Sequence, residues 1–440
     1  MFNPNSLRRS RVLPAIALAA LAVLPHAARA ATAAPAARST WCADRCDQVV
    51  IDWNLHAHQV IKAADGHADP MAASRVLAMV HLAMHDAANA AQPRYQPFAY
   101  AHKAEGGKRA ADAAVAAAVA AHDLLAGLYP KHKDLVRSAL DATLLDAGLG
   151  DAVDEGKKIG AAAAAATLAK RSGDGSAGSE AYKPGTRPGD YQFVPGFEFL
   201  AAPHWRSVAP LTMRSPDQFR VAAPPALESA EYAAAFNEVK SSGSKAADAK
   251  RSADQTQYAN FWYEFSEIGW NRVARVVSRD KPQDLWQRAR TFALLNAVMA
   301  DAYIAGWDSK MHHNFWRPVT AIKSAALDNN ARTDADAGWA PLLTTPPIQD
   351  HPSTHSALGA AAAVVLADAF GDKVRFTMAS PTALPATPQR SFASFSGAAR
   401  ENADSRVRAG IHFRFATEAG LKLGGQIGRQ ATAGALGRIR

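Results

Sequence analysis

Cysteine is almost absent from this sequence: Cys42 and Cys46, in WCADRC, are the only two among 440 residues. That excludes a small disulfide-stapled fold and a zinc site built from thiolates, leaving room for one small-loop bridge in an oxidising compartment. Long apolar runs are missing after residue 30, so no later segment is expected to cross a bilayer. Lysines and arginines are not gathered into runs, so the formal charge of +9 does not read as a nucleic-acid footprint. Alternating apolar and polar stretches are missing too, as is any short-period repeat, which argues against sheets and solenoids. What is present is a chain 48% hydrophobic and 20% charged, rich in alanine and patterned with helical periodicity. Such a chain can bury a sizeable core of helices.

Residues 1–30 stand apart from the rest. Arg8, Arg9 and Arg11 precede the apolar VLPAIALAALAVL, and ARA ends at Ala30. This is the pattern of a secretory signal peptide, too short in its apolar part for a comfortable span. The expectation is an exported protein, periplasmic or secreted, with the export route left open. Removing this segment takes away four arginines (Arg8, Arg9, Arg11 and Arg29) and no acids, so +9 becomes +5. Residues 31–50 read as a tether, 51–280 as an N-terminal helical region and 281–440 as a C-terminal helical region carrying the chemistry. Helices are expected near 71–90, 107–127, 131–147, 151–171, 227–240, 248–278, 283–308, 311–327, 353–370, 388–409 and 416–435. Between them lies an irregular stretch at about 172–225, with SGDGSAGSE and KPGTRPGDY, longer than an incidental connection. The fold class is all-α, a protein of helical bundles.

Three segments gather cationic and imidazole groups. In GWDSKMHHNFWRPVTAI, Lys310 and Arg317 are seven apart, which on one continuous helix puts them on one face. In PPIQDHPSTHSALGAAAAVVLADAF, Ser353 stands as N-cap where an apolar helix begins. His355 follows within the first turn, where unpaired N–H groups and the dipole favour an anion. In ENADSRVRAGIHFRF, Arg406 and His412 are six apart and would diverge by about 120° on a straight helix. Gly410 marks a break that lets them converge. Singly, each residue has an ordinary reading: a solvated lysine, a structural ion pair, an N-cap, a core histidine. Together they supply what a tetrahedral oxyanion such as phosphate or vanadate requires.

The spacing K-x6-R-P, then P-S-G-H, then S-R-x5-H resembles the type 2 phosphatidic acid phosphatases and the vanadium-dependent haloperoxidases. Here it reads Lys310 to Arg317–Pro318, then Pro352–Ser353–Thr354–His355, then Ser405–Arg406 to His412, spanning roughly residues 299–416. The flanks ADAYIAGWDSK, NFWRP and GIHFRF are closer to the haloperoxidase branch. The resemblance implies a helical-bundle fold of the vanadium haloperoxidase and acid phosphatase type. It implies that Lys310, Arg317, Ser353, Arg406 and the N–H of Thr354 hold the oxyanion. His412 would be the axial ligand to vanadium or the nucleophile toward phosphorus, and His355 the general acid–base. Lys310 would also act in catalysis by polarising bound peroxide. The implied cofactor is vanadate; in the phosphatase alternative there is none, and phosphate binds as substrate or product. The implied partners are hydrogen peroxide with a halide or small organic acceptor, or else a phosphate ester. A third reading is a descendant that binds phosphate or vanadate without turnover.

This sequence departs from the family pattern at two positions. Thr354 replaces the family glycine, and its Cβ is expected to crowd the anion. Ala416 stands where the phosphatase branch has an aspartate, which weighs toward the haloperoxidase. The position tied to halide preference, five before Ser353, is Ile348 rather than the histidine of typical bromoperoxidases. Trp307 and His313 are further pocket candidates, with Phe315 and Trp316 as walls. His81 and His85, one turn apart in HLAMHD, read as helix packing with Asp86 and Asn89 rather than as a metal site. His312 reads as a surface or supporting residue. The cluster NFWYEFSEIGWNR (260–272) reads as core and interface. Homo-oligomerisation is left open.

Overall fold

Five helices occupy the stretch 48–171 of the computed structural model, which describes residues 46–101 and 110–439. The signal segment, Cys42 and all but the last residues of the tether lie outside the described residues. The helices are α1 (Gln48–Ala63), α2 (Pro70–Ala91), α3 (Ala113–Leu128), α4 (Lys133–Ala147) and α5 (Asp151–Arg171). Helix α1 was not expected from the sequence. It buries Asn54 and His58 on its inner face, and these polar residues obscure the apolar stripe. Asn54 bonds across the core to His81 and Asn271. Helix α2 starts as its sequence dictates. Asp69 accepts from the Ala72 N–H at 3.0 Å, and Pro70 takes the first helical position, where no donor is needed.

The second half holds α6 (Ala230–Ser242), α7 (Ala253–Phe261), α8 (Ser266–Asp280), α9 (Leu285–His313), α10 (Pro318–Lys323), α11 (Thr354–Phe370), α12 (Phe395–Arg408) and α13 (Arg414–Gly434). One antiparallel hairpin, β1 (Phe376–Ala379) with β2 (Gln389–Phe392), pairs Phe376 with Phe392. The protein is therefore all-α, with one small hairpin among the described residues. Helix α9 is the axis. A capping box of Asp284 and Gln287 opens it, and it packs on α2 and on α11. One apolar core consequently runs through both halves. Helix α13 lies close on α11: a Cβ at Gly424 would stand 1.9 Å from the Ala357 carbonyl oxygen.

Three sequence expectations are corrected. The span 248–278 is two helices, α7 and α8, separated by residues 262–265. The span 311–327 is interrupted: α9 ends at His313, Asn314 takes φ 49°, and α10 begins at Pro318. Lys310 and Arg317 are therefore not on one helical face. The span 388–409 begins as strand β2, with the helix starting only at Phe395. Gly410 does mark a break, with φ 78°. A Cβ there would meet the Gly243 carbonyl at 2.3 Å, so only glycine fits.

The long irregular stretch after α5 lies over α9 and the segment before α11. Asp301, fully buried on α9, accepts from the N–H groups of Leu211 and Thr212 at 2.7 Å each. Trp307 Nε1 donates to the Ala201 carbonyl at 3.0 Å, and Arg220 forms a two-pronged pair with Asp308. The Ala201 N–H reaches Pro347 O at 2.8 Å. Among the described residues no single helix is long and apolar enough to cross a membrane.

Glu267, on α8, is fully buried and accepts from the Tyr303 hydroxyl at 3.0 Å. Burial pushes its carboxyl up to about 8. The folded state thus holds a proton that the unfolded chain releases above about pH 4.5. Stability from this group is full below that pH and declines as pH rises toward 8. Glu267→Gln should remove that decline. Urea unfolding at pH 5 and pH 9 is expected to show the variant gaining on the wild type by several kcal/mol, on the order of 4. An equal stability difference at both pH values would refute the buried neutral acid.

Candidate functional site

Lys310 sits in the last turn of α9 and Arg317 at the N-cap of α10, three irregular residues beyond the end of α9. Both are buried, at 0% and 1% exposure. They converge because the segment 348–350 receives both. Lys310 Nζ donates to the carbonyls of Gln349 and Asp350, at 2.5 and 3.1 Å. Arg317 Nε donates to Ile348 O at 2.6 Å and Nη1 to Ile411 O at 2.8 Å. The Asp350 N–H bonds back to Phe315 O at 3.0 Å. The break at Asn314 does what one helical face was expected to do.

Ser353 caps α11 as its sequence predicts, with its Oγ 3.0 Å from Ser356 Oγ. It follows a cis His351–Pro352 bond, and its N–H reaches Ala416 O at 2.8 Å. Arg406 closes α12, buried at 1% exposure. Its Nη1 donates to Trp262 O at 3.2 Å, its guanidinium lies 5.7 Å from the Tyr263 ring centre, and its buried Nε has no partner. His355 is half-buried, with Nε2 3.1 Å from Glu264 O. His412 follows the Gly410 turn; its Nε2 is 2.9 Å from Arg317 Nη1 and its Nδ1 is 2.8 Å from Asp350 Oδ1.

Electrostatics tie these groups into one cluster. Burial lowers Lys310 well below the lysine range, and Arg317 and Arg406 lower it further. Arg406 is brought down to about 9, chiefly by burial. Burial and then Arg317, Lys310 and Arg406 hold the His412 imidazole far below its usual range. His355 is lowered by burial and then Arg406. Against three cations stands one buried carboxylate, Asp350. Burial pushes it up to about 7 while Arg317 and Lys310 pull it down. Uncompensated buried charge is costly, and a tetrahedral oxyanion would supply the missing negative charge. The donor set fits vanadate or phosphate on that ground.

Two contributors escaped the sequence reading. Asp350 sits among the loop residues before Ser353 and had no motif to announce it; a buried lysine–arginine pair without a carboxylate was the available signal. The backbone of residues 262–265 forms a wall, giving carbonyls to Arg406 and His355. The hairpin holds that wall in place: Thr382 Oγ1 bonds Asn260 O at 2.7 Å and the Glu264 N–H at 3.1 Å. The aromatic cluster there packs as core, with Trp262 stacked on Trp270.

Other candidates lie elsewhere or act differently. His313 turns to the long loop, its Nε2 2.9 Å from Val221 O, and His312 is exposed. Trp307 is anchored beneath the same loop. Ile348 is buried and contributes its carbonyl. Phe315 packs on Phe413 and Phe415. His81 and His85 each find a single polar partner, Asn54 and Gln96 O. No cluster of three or more His, Cys, Asp or Glu side chains is placed for a metal ion among the described residues.

Thr354 does not need glycine's freedom, since it is an ordinary first residue of α11. Its γ-methyl stands 2.5 Å from where a Cβ on Gly306 would be. A glycine on α9 therefore makes room for this methyl.

A family model for the VCPO second helical-bundle domain matches residues 290–439. Vanadium chloroperoxidase of Curvularia inaequalis is 27% identical over 397 residues, covering 71% of this chain and 64% of that protein. The chain therefore spans just under two thirds of that relative. The solved structure of a first bacterial vanadium-dependent iodoperoxidase superposes with TM-score 0.75 at 27% identity, covering 89% of this chain and 97% of the other. A holo bacterial vanadium-dependent chloroperoxidase shares the fold, with TM-score 0.67 at 17% identity over 83% and 92% of the two chains.

The Thr354–Gly306 contact generates a double-mutant test. Gly306→Ala alone should destabilise by overpacking, about 1–3 kcal/mol, and adding Thr354→Gly should recover much of the loss. Thr354→Gly alone should leave phosphate affinity within about threefold, less than 1 kcal/mol. Additive stability losses, or much tighter phosphate binding in Thr354→Gly, would show that the methyl sits against the anion instead.

Proposed function

We propose, from the premise that this chain belongs to the vanadium haloperoxidase superfamily, that it is an exported vanadate-dependent peroxidase using hydrogen peroxide to oxidise halide. The observation that carries the reading is the cluster of three buried cations around a histidine with one carboxylate to balance them. Lys310, Arg317, Ser353, Arg406 and the Thr354 N–H would hold vanadate, and His412 Nε2 would be its protein ligand. Bound vanadate supplies a Lewis-acidic centre that activates peroxide toward halide.

The chain's own residues set the conditions for that chemistry. Burial of Lys310, Arg317 and Arg406 strengthens their hold on an anion, because little water competes with them. The start of α11 adds its dipole and N–H groups. His355 is the proton carrier: an anion beside it would raise its affinity for a proton. Burial, and then the surrounding cations, disfavour the protonated form of His412, as suits a ligand. Residues 281–440 are the catalytic region on this reading, with the earlier helices supporting α9.

Phosphate-ester hydrolysis is the second reading. It is favoured by a carboxylate, Asp350, at Nδ1 of His412, where it could support a nucleophile. Because Asp350 reaches His412 from another segment, Ala416 does not by itself separate the two readings.

The deciding assay loads the purified chain with vanadate, then supplies peroxide with iodide, bromide or chloride, beside a phosphate-ester assay without vanadate. Halide oxidation is expected, lost by at least about 100-fold in His412→Ala and in His355→Ala. Phosphate binding should survive in His355→Ala. Full turnover in His412→Ala would refute the assignment. Phosphate binding with neither activity would make the protein a binder.

A further inference from the structure

Asn314 stands between the cations Lys310 and Arg317, in the left-handed backbone region with φ 49°. At a helix end that conformation favours glycine, with asparagine the usual second choice. The turn itself needs only backbone: the Asn314 N–H bonds Lys310 O at 2.8 Å, and its carbonyl receives the Tyr191 N–H at 2.7 Å. The side chain does something further. Its Oδ1 accepts from the Tyr182 hydroxyl at 2.7 Å and from Gln349 Nε2 at 3.2 Å, which occupies both lone pairs. We propose that Asn314 is a positioning residue that, through Tyr182 and Gln349, couples the long irregular stretch after α5 to the spacing of Lys310 and Arg317, and so to anion affinity.

Each partner is itself anchored. Gln349 is fully buried and its carbonyl takes Lys310 Nζ. It lies between Ile348 and Asp350, whose carbonyls receive Arg317 and Lys310. Moving Gln349 therefore moves the backbone that both cations grip. On the other side, Asp190 pairs with Phe315 in an antiparallel bridge, and the Trp316 N–H reaches Gly189 O at 2.8 Å. Tyr182 lies against this bridge, its ring centre 5.9 Å from that of Tyr191. The residues that separate α9 from Arg317 are thus held by the long stretch on one side and by segment 348–350 on the other. Tyr182, Asn314 and Gln349 are neutral, so their effect on a bound anion runs through geometry rather than charge. If Asn314 were a helix cap and nothing more, glycine would serve as well.

This role presupposes the anion site proposed above, and equilibrium binding tests it without turnover. Asn314→Gly keeps the backbone conformation and deletes only the side-chain bonds. Inorganic phosphate, followed by 31P NMR on the full chain, is expected to bind Asn314→Gly about tenfold more weakly than the wild type. The chemical shift of phosphate at saturation should change as well, because its donors are re-aimed. Tyr182→Phe should weaken binding in the same direction and add nothing further in the Asn314→Gly background. Tyr182 is only partly buried, so its variant carries the test even if the glycine variant fails to fold. Wild-type affinity and shift in the folded variants would overturn the proposal and leave the anion site standing, as would fully additive losses. A wild type that binds no phosphate would bring down the proposed function and this role together.

Discussion

Burying Lys310, Arg317 and Arg406 together costs free energy that the protein alone does not recover, and much of the surrounding structure makes this arrangement tenable. Each cation is shielded by backbone carbonyls: Gln349 and Asp350 for Lys310, Ile348 and Ile411 for Arg317, Trp262 for Arg406. Carbonyl dipoles lower the penalty without cancelling the charge. One carboxylate removes part of the remainder. The excess positive charge distinguishes the place from a balanced structural ion-pair network.

The elements that appear peripheral to this site position its walls. The break at Asn314 swings Arg317 back toward Lys310, and the Gly410 turn brings His412 under Arg317. The hairpin exists to prop residues 262–265, whose carbonyls meet Arg406 and His355. The long loop seals α9 from outside through Asp301, Trp307 and Asp308. Helix α13 presses its glycines on α11, and Ala416 O receives the Ser353 N–H, so the cap residue sits on a rigid base. Rigid support of this kind keeps donors aimed where an anion's charge will be, with little reorganisation on binding.

Much of this was legible in the sequence. The cationic residues, the two histidines and the Ser353 cap were all marked by type and spacing, and the structure brings them to one place. The Gly410 break was readable because only glycine offers φ above zero at little cost. Other features were not readable. The α7–α8 break falls in NFWYEFSEIG, with neither glycine nor proline before Gly269, so nothing local announces it. Helix α1 hid behind buried Asn54 and His58, and the partners of Asn54, His81 and Asn271, are found only in the folded protein. Asp350 lacked any periodic or motif context, and its role appears only when residues 350 and 412 meet. Nor was the packing of the Thr354 methyl readable, because Gly306, which makes room for it, lies far away on another helix.

The central claim is that excess buried positive charge is held for a tetrahedral anion. Thermal unfolding of the wild type and of Lys310→Met, in rising phosphate against chloride of matched ionic strength, tests it directly. Without phosphate the apolar replacement should be as stable as the wild type or more so, since it removes an uncompensated buried charge. The wild type should gain steadily with phosphate, about 2.7 kcal/mol at a hundredfold excess over Kd, and the variant should gain far less. A wild-type melting temperature indifferent to phosphate, together with a destabilised Lys310→Met, would contradict the account.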